Sequence, residues 1–150
     1  INLQPENPLR GHNDERLGPR FPDMLGTYDR ALNAVALNLA RAHGVRAHES
    51  VYLCLQGPNL ETPAEYNMFH LLGADLVGMS TVPEVLVARH MGLPVFVVSV
   101  ATNKCNPIED IRPTSHADVV AVAAAAEPRL TAIVKELLRH LERPPGEPAP

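Results

Sequence analysis

The sequence predicts an α/β fold with a mixed, largely parallel sheet flanked by helices. Three observations predict it. Short apolar runs rich in β-branched residues recur at 50–56, 74–79 and 93–101. Segments with apolar residues on a helical period precede, separate and follow them. Two of the intervening helices also open on Ser/Thr-x-x-acid, the signature of a capped start. Runs that are nearly continuous in apolarity mark strands covered on both faces, and strand–helix alternation favours parallel pairing.

Residues 1–26 are rich in Pro, Gly, Asn and charge, without an apolar period, and read as a long excursion. A stretch of that length without secondary structure is expected to be functional or to borrow its order from a partner. From Tyr28, the positions Leu32, Val35, Ala36, Leu39 and Ala40 share one helical face that ends near Gly44. The 50–56 run (SVYLCLQ) is the first expected strand. It passes through Gly57-Pro58-Asn59-Leu60-Glu61 into a helix over 62–72, with Thr62 and Glu65 as capping box and Pro63 at the first helical position. Ala64, Met68, Leu71 and Leu72 form its apolar face. The 74–79 run (ADLVGM) hands over through Ser80 to a helix over 81–92, with Thr81 and Glu84 as the box. The run 93–101 (LPVFVVSVA) is the third strand. The last helix, 115–142, starts on Ser115 and Asp118 and keeps its period from Val119 to Leu141, with Pro128 expected to kink it. Residues 1–142 read as one domain portion, and the Pro-rich tail 143–150 as disordered.

Composition narrows the function. The 150 residues carry 13 basic and 17 acidic side chains, a net charge of −4. That balance argues against nucleic acid, because phosphate backbones need a basic face. Three Phe, three Tyr and no Trp leave little stacking surface for single strands. No apolar run reaches the roughly 18–20 residues of a membrane span. Cys54 and Cys105 form no CxxC pair and read as small hydrophobes, so a reducing, cytoplasmic setting is expected. The seven histidines show no metal-ligand spacing, and no metal is expected.

In open parallel sheets, ligands bind beyond the carboxyl ends of the strands. The polar residues delivered there are Glu61, then Ser80 and Thr81, then Thr102, Asn103 and Lys104. Ser80, at a helix start, suits an anion such as phosphate, although Ser80 and Thr81 also read simply as caps. Glu61 offers only acceptors and suits a ligand with adjacent N–H groups, or else serves as a loop acid. Asn103 donates and accepts at once, or else closes a turn. His116 reads most simply as an exposed first-turn residue and Tyr52 as a half-buried strand residue. No GxGxxG or Walker loop occurs, and Gly78-Met79-Ser80-Thr81-Val82 lacks the second glycine of a nucleophile elbow.

The run GPNLETPAEYNMFHLLGADLVGMSTVPEVLVARHMGLPVFVVSVATNKC, with the opening INLQPENPLRGHNDERLGPRFPDMLGTYDRA, closely resembles the trimeric, 6-oxopurine-specific purine nucleoside phosphorylases. The resemblance covers residues 1–142 and implies a nucleoside phosphorylase-like fold. It implies phosphorolysis of inosine and guanosine to free base and (deoxy)ribose 1-phosphate, with inorganic phosphate as co-substrate and no cofactor. It gives Glu61 to the purine N1–H and 2-amino group, and Asn103 to the N7 and O6 edge. Val77, Met79 and Leu60 would line the base pocket, with Leu60 standing where the family commonly has Phe. Tyr52 would touch the ribose, His116 its 5′-hydroxyl and Ser80 the phosphate. Phe21 would reach a neighbouring subunit of a homotrimer and so explain the order of residues 1–26. The related methylthioadenosine phosphorylases carry Asp at the Asn103 position. The expectation is therefore the C-terminal portion of a 6-oxopurine phosphorylase; the alternatives are a non-catalytic purine-binding or partner-subunit remnant and the methylthioadenosine enzyme.

Overall fold

A computed structural model describes residues 1–142; the expectation for 143–150 lies outside the described residues. The elements are α1 (Arg30–Ala42), β1 (Tyr52–Cys54), α2 (Pro63–Leu71), β2 (Leu76–Gly78), α3 (Val82–His90), a 3₁₀ turn (Ile108–Asp110) and α4 (His116–Glu142). They pack as two compact units. The first joins Ile1–Asp29 to Ser50–Thr114, and the second joins Arg30–Glu49 to the chain from Ser115.

In the first unit β1 and β2 pair in parallel, Tyr52 opposite Leu76 and Cys54 opposite Gly78. The connection between them is α2, the strand–helix–strand unit that the alternation predicts. Residues 1–3 extend the sheet. Cys54 N donates to Ile1 O at 2.9 Å, and Leu3 N to Cys54 O at 3.0 Å. The core beneath is Leu53, Tyr66, Phe69 and Ala74, with Leu55, Val77, Cys105 and Ile111 packed on it.

Two expectations are corrected here. The run 93–101 forms no strand; its one ladder contact is the bridge of Val95 to Tyr28. Extended backbone becomes a strand only where it pairs with a neighbour over several residues, and among the described residues this run pairs at that one bridge. Without that cover Leu93 and Val98 stay exposed. Second, α2 buries Tyr66 and Phe69, while Met68, Leu71 and Leu72 face out. The aromatic arc carries more apolar area per residue and takes the core side. Residues 1–26 also bond to the rest of their own unit. Arg89 Nε donates to Asp23 O at 2.9 Å, and His90 Nε2 lies 3.0 Å from Asn13 Oδ1, whose amide nitrogen donates to Gly18 O. Gly18 fits so closely against the His90 carbonyl that a Cβ would overlap it.

In the second unit α1 packs on α4. Ala40, Ile133 and Leu137 are buried, and His43 pairs with Glu136 at 2.8 Å. The α4 helix continues through Pro128. Its first half, including Val120 and Val122, remains exposed despite the regular apolar period.

Candidate functional site

The two capping boxes that open α2 and α4 fix where those helices start. Thr62 N donates to Glu65 Oε2 at 2.7 Å, and Glu65 N returns a bond to Thr62 Oγ1 at 3.3 Å. Ser115 and Asp118 exchange the same pair at 2.8 and 3.2 Å. Those bonds hold both carboxyls below the ordinary carboxylate range. The Thr62 backbone bond is the main cause for Glu65, and the Ser115 hydroxyl for Asp118.

The third box is absent. Thr81 has φ 77 and ψ −53, and Val82 N donates to Ser80 O at 2.8 Å. This is a positive-φ γ-turn, a strained form for any residue and rarer still for a β-branched one. Such backbone costs on the order of 1–3 kcal/mol. The turn swings the Thr81 side chain off the helix end, so no cap bond to Glu84 forms. Its Oγ1 instead lies 3.1 Å from Ser80 Oγ, and two hydroxyls stand side by side where β2 meets α3.

Ser80 is held from below. Its N–H donates to the Tyr52 hydroxyl at 3.4 Å, and Cys54 Sγ donates to its carbonyl at 3.1 Å. The Tyr52 ring crosses the neighbouring strand at Gly78, where a Cβ would overlap the phenol. Met79 lies against Gly57, whose φ of 64 and lack of a side chain both matter, since a Cβ there would overlap the Met79 sulfur. Tyr52, Met79 and Ser80 thus form one group at the strand exits.

A second group lines a cavity. Leu60, Glu61, Tyr66, Asn103, Ile111, Arg112, Pro113 and Thr114 line an open cavity of about 340 Å³. That volume falls within the ~300–1,000 Å³ usual for small-molecule sites. Glu61 enters from the β1–α2 connection and Asn103 from the segment after the 93–101 run. One acid and one arginine balance on the wall, which suits a neutral polar heterocycle better than an ion. Asn103 is engaged at both ends of its amide. Thr102 Oγ1 donates to its Oδ1 at 2.9 Å, and its Nδ2 donates to Cys105 Sγ at 3.2 Å. Lys104 pairs with Asp110 and closes the loop behind Asn103.

Of the expected site residues, the structure brings Leu60, Glu61 and Asn103 into one cavity, and Tyr52 and Ser80 together at the strand exits, with Met79 beside Ser80 in the chain. Val77 packs on the buried core. Phe21 is 87% exposed, with the Arg20 guanidinium 5.7 Å from its ring centroid. His116 is an exposed residue at the start of α4, in the second unit.

Sequence reasoning missed Tyr66 and the Ile111–Thr114 wall. Tyr66 is 8% exposed, lines the cavity together with Glu61, and belongs to the core cluster on which Cys105 packs. Burial first, then these two neighbours, push its pKa up, so the phenol stays protonated and available as a donor. A signal was present: a buried tyrosine needs a polar neighbour for its hydroxyl, and Glu61 lies one turn and a half before it in the chain. The 105–114 segment has no period to announce it.

The Phosphorylase superfamily model matches residues 1–139. This chain belongs to the phosphorylase superfamily. The purine nucleoside phosphorylase of Anopheles gambiae is 44% identical over 138 residues, covering 90% of this chain and 39% of that protein. Isoform 2 of the Schistosoma mansoni enzyme, solved with cytosine and ribose-1-phosphate, aligns with a TM-score of 0.84 at 39% identity, covering 91% of this chain and 50% of that one. The Schistosoma mansoni enzyme in complex with inosine aligns at 0.85 and 35% identity, covering 97% and 53%. The chain therefore spans about half the length of these relatives or less. The nucleoside phosphorylase fold that the sequence predicts is the fold of those neighbours. Among the described residues no helix is long and apolar enough to cross a membrane.

Proposed function

We propose that this chain carries the base-recognition half of a purine nucleoside phosphorylase site. The protein it belongs to would split inosine and guanosine with inorganic phosphate. The observation that carries this is the shared cavity of Glu61 and Asn103, an acceptor-only group and a donor–acceptor amide facing one space of nucleobase size.

In the reaction an oxygen of phosphate forms a bond to the anomeric carbon as the carbon–N9 bond breaks. The electron pair of the broken bond leaves on the purine, and a proton reaches the purine to give the free base. The other product is the pentose 1-phosphate. Rate depends on groups aimed at charge as it develops. Asn103 Nδ2 donates toward the O6 and N7 edge, where negative charge collects. Glu61 accepts from N1–H and, in guanosine, from the 2-amino group. The Ser80 and Thr81 hydroxyls, at the start of α3, serve the phosphate, helped by the partial positive charge of the helix end. Tyr52 supports Ser80 and borders the sugar with Met79, while Val77 and Leu60 complete the base side. His116 would meet the 5′-hydroxyl, and Phe21 would complete a neighbouring subunit's site in a homotrimer. The reading needs no cofactor or metal beyond phosphate, and places the enzyme in the cytoplasm.

Asn103 sets the preference. An amide can donate to a 6-oxo group, whereas Asp in its place only accepts and suits a 6-amino group. The decisive assay follows base release from inosine, guanosine, adenosine and methylthioadenosine with phosphate, using the protein as its native gene expresses it. Inosine and guanosine should be the better substrates. Preference for adenosine or methylthioadenosine would reverse the assignment of Asn103, and no phosphate-dependent cleavage of any purine nucleoside would remove the function.

A further inference from the structure

We infer that Cys54 is a positioning residue for Ser80: its buried thiol, steadied by Gln4, holds the strained turn that sets the Ser80 and Thr81 hydroxyls side by side for an inorganic anion. The inference rests on the phosphate role proposed above for that pair and deepens it.

The strand period gives Cys54 its reach. Tyr52 and Cys54 are two apart on β1, so their side chains leave the same face of the sheet. Both cross to the exit of β2 and meet opposite ends of one residue. Ser80 N–H donates to the Tyr52 hydroxyl at 3.4 Å, and Cys54 Sγ–H donates to Ser80 O at 3.1 Å. A carbonyl oxygen only accepts, so the second contact requires the thiol in its protonated form. Cys54 is fully buried, and its sulfur accepts Gln4 Nε2–H at 3.0 Å. The same amide nitrogen also donates to Leu55 O. Gln4 is delivered there by the edge pairing of the opening residues, in which Cys54 N donates to Ile1 O and Leu3 N to Cys54 O. With Gln4 on its lone pair, the sulfur has its one proton left for Ser80.

That acceptor is shared. Ser80 O also takes Val82 N–H at 2.8 Å, the bond that closes the turn and goes with φ 77 at Thr81. Backbone in that region persists only where its surroundings hold it. Two contacts from β1 do so, one on each peptide flanking Ser80. Without the thiol proton the carbonyl is released on that side. The turn can then open toward an ordinary helix start, in which Thr81 caps the Glu84 N–H. Such a start parts Ser80 Oγ from Thr81 Oγ1, which now lie 3.1 Å apart. A pair that close can turn both O–H groups onto one anion, and a separated pair cannot. Cys54 touches no substrate; it acts through Ser80.

The test separates the two substrates. KM for inorganic phosphate, KM for inosine and kcat are measured in the natively expressed protein and in Cys54→Val and Cys54→Ser. Valine fills similar space without a donor. It should raise KM for phosphate about 2- to 10-fold, the loss of one hydrogen bond, and leave KM for inosine and kcat at saturating phosphate nearly unchanged. Serine keeps a donor and an acceptor and should restore KM for phosphate. A merely structural role would lower kcat or raise both KM values alike. Either result would overturn the inference, as would an unchanged KM for phosphate or equal effects of valine and serine. Gln4→Leu, at a half-buried position, is an independent variant that does not depend on the Cys54 variants folding. It should also raise KM for phosphate without moving KM for inosine, and no rise would overturn the inference. Each of these failures leaves the purine reading intact, because phosphate-dependent cleavage persists. A native protein that cleaves no purine nucleoside with phosphate would remove that reading, and the positioning role with it.

Discussion

Replacing Gly78 with alanine tests how tightly the exits of β1 and β2 are built. The new Cβ would overlap the Tyr52 hydroxyl and lie 2.7 Å from the ring Cζ and 3.0 Å from Cε2. Real Cβ contacts are not that short, so the ring must move. Tyr52 is half-buried and can swing outward, which places the overpacking cost toward the lower part of the ~1–3 kcal/mol range. The swing also breaks the bond from Ser80 N, a further ~0.5–1.5 kcal/mol. Together these give a loss of about 1.5–3 kcal/mol, or a fall in Tm of about 3–12 °C for a chain of this size. Urea unfolding of Gly78→Ala, Tyr52→Ala and the double variant measures it. With the ring gone, Gly78→Ala should cost nothing or add slightly, because alanine outperforms glycine in a strand. If Gly78→Ala destabilises both backgrounds equally, the packing of Tyr52 over Gly78 is not what excludes a side chain there.

Other outcomes follow from the same structure. Glu61→Ala should lower kcat/KM for inosine by about 10- to 150-fold, the equivalent of ~1.5–3 kcal/mol for one charged hydrogen bond, as read by hypoxanthine release. Leu53, fully buried at 0% exposure, should cost about 2–5 kcal/mol as Leu53→Ala in equilibrium unfolding. The Glu65 and Asp118 carboxyls titrate lower in the fold than in the unfolded chain. Their contribution is present above the ordinary carboxylate values of ~3.9–4.3 and is lost as pH falls through the lower folded values. Thermal melts between pH 6 and 3 should therefore show a smaller acid-induced loss in Glu65→Gln/Asp118→Asn than in the native protein; identical slopes would assign the acid sensitivity elsewhere.

Much of the fold was legible because its signals are local. The capping boxes at Thr62 and Ser115 need only the residues within one helical turn, and both form as expected. The box at Thr81 fails for a reason no spacing rule carries: the backbone enters α3 through a γ-turn that takes the hydroxyl out of reach. The 93–101 run has the composition of a strand, but pairing depends on what lies beside it, which is not a property of the run. The site shows the same division. Glu61 and Asn103 could be placed together because each closely follows an extended apolar run, and they share a cavity even though the second run forms no strand. Tyr66 was hidden because its role depends on which arc of α2 turns inward, and the aromatic arc displaced the aliphatic one.

The turn at Thr81 closes on its own three residues and leaves no slack between β2 and α3. At its other end α3 finishes on His90, whose ring nitrogen lies 3.0 Å from Asn13 Oδ1. One short helix thus carries the paired Ser80 and Thr81 hydroxyls at its entry and anchors the opening excursion of the chain at its exit.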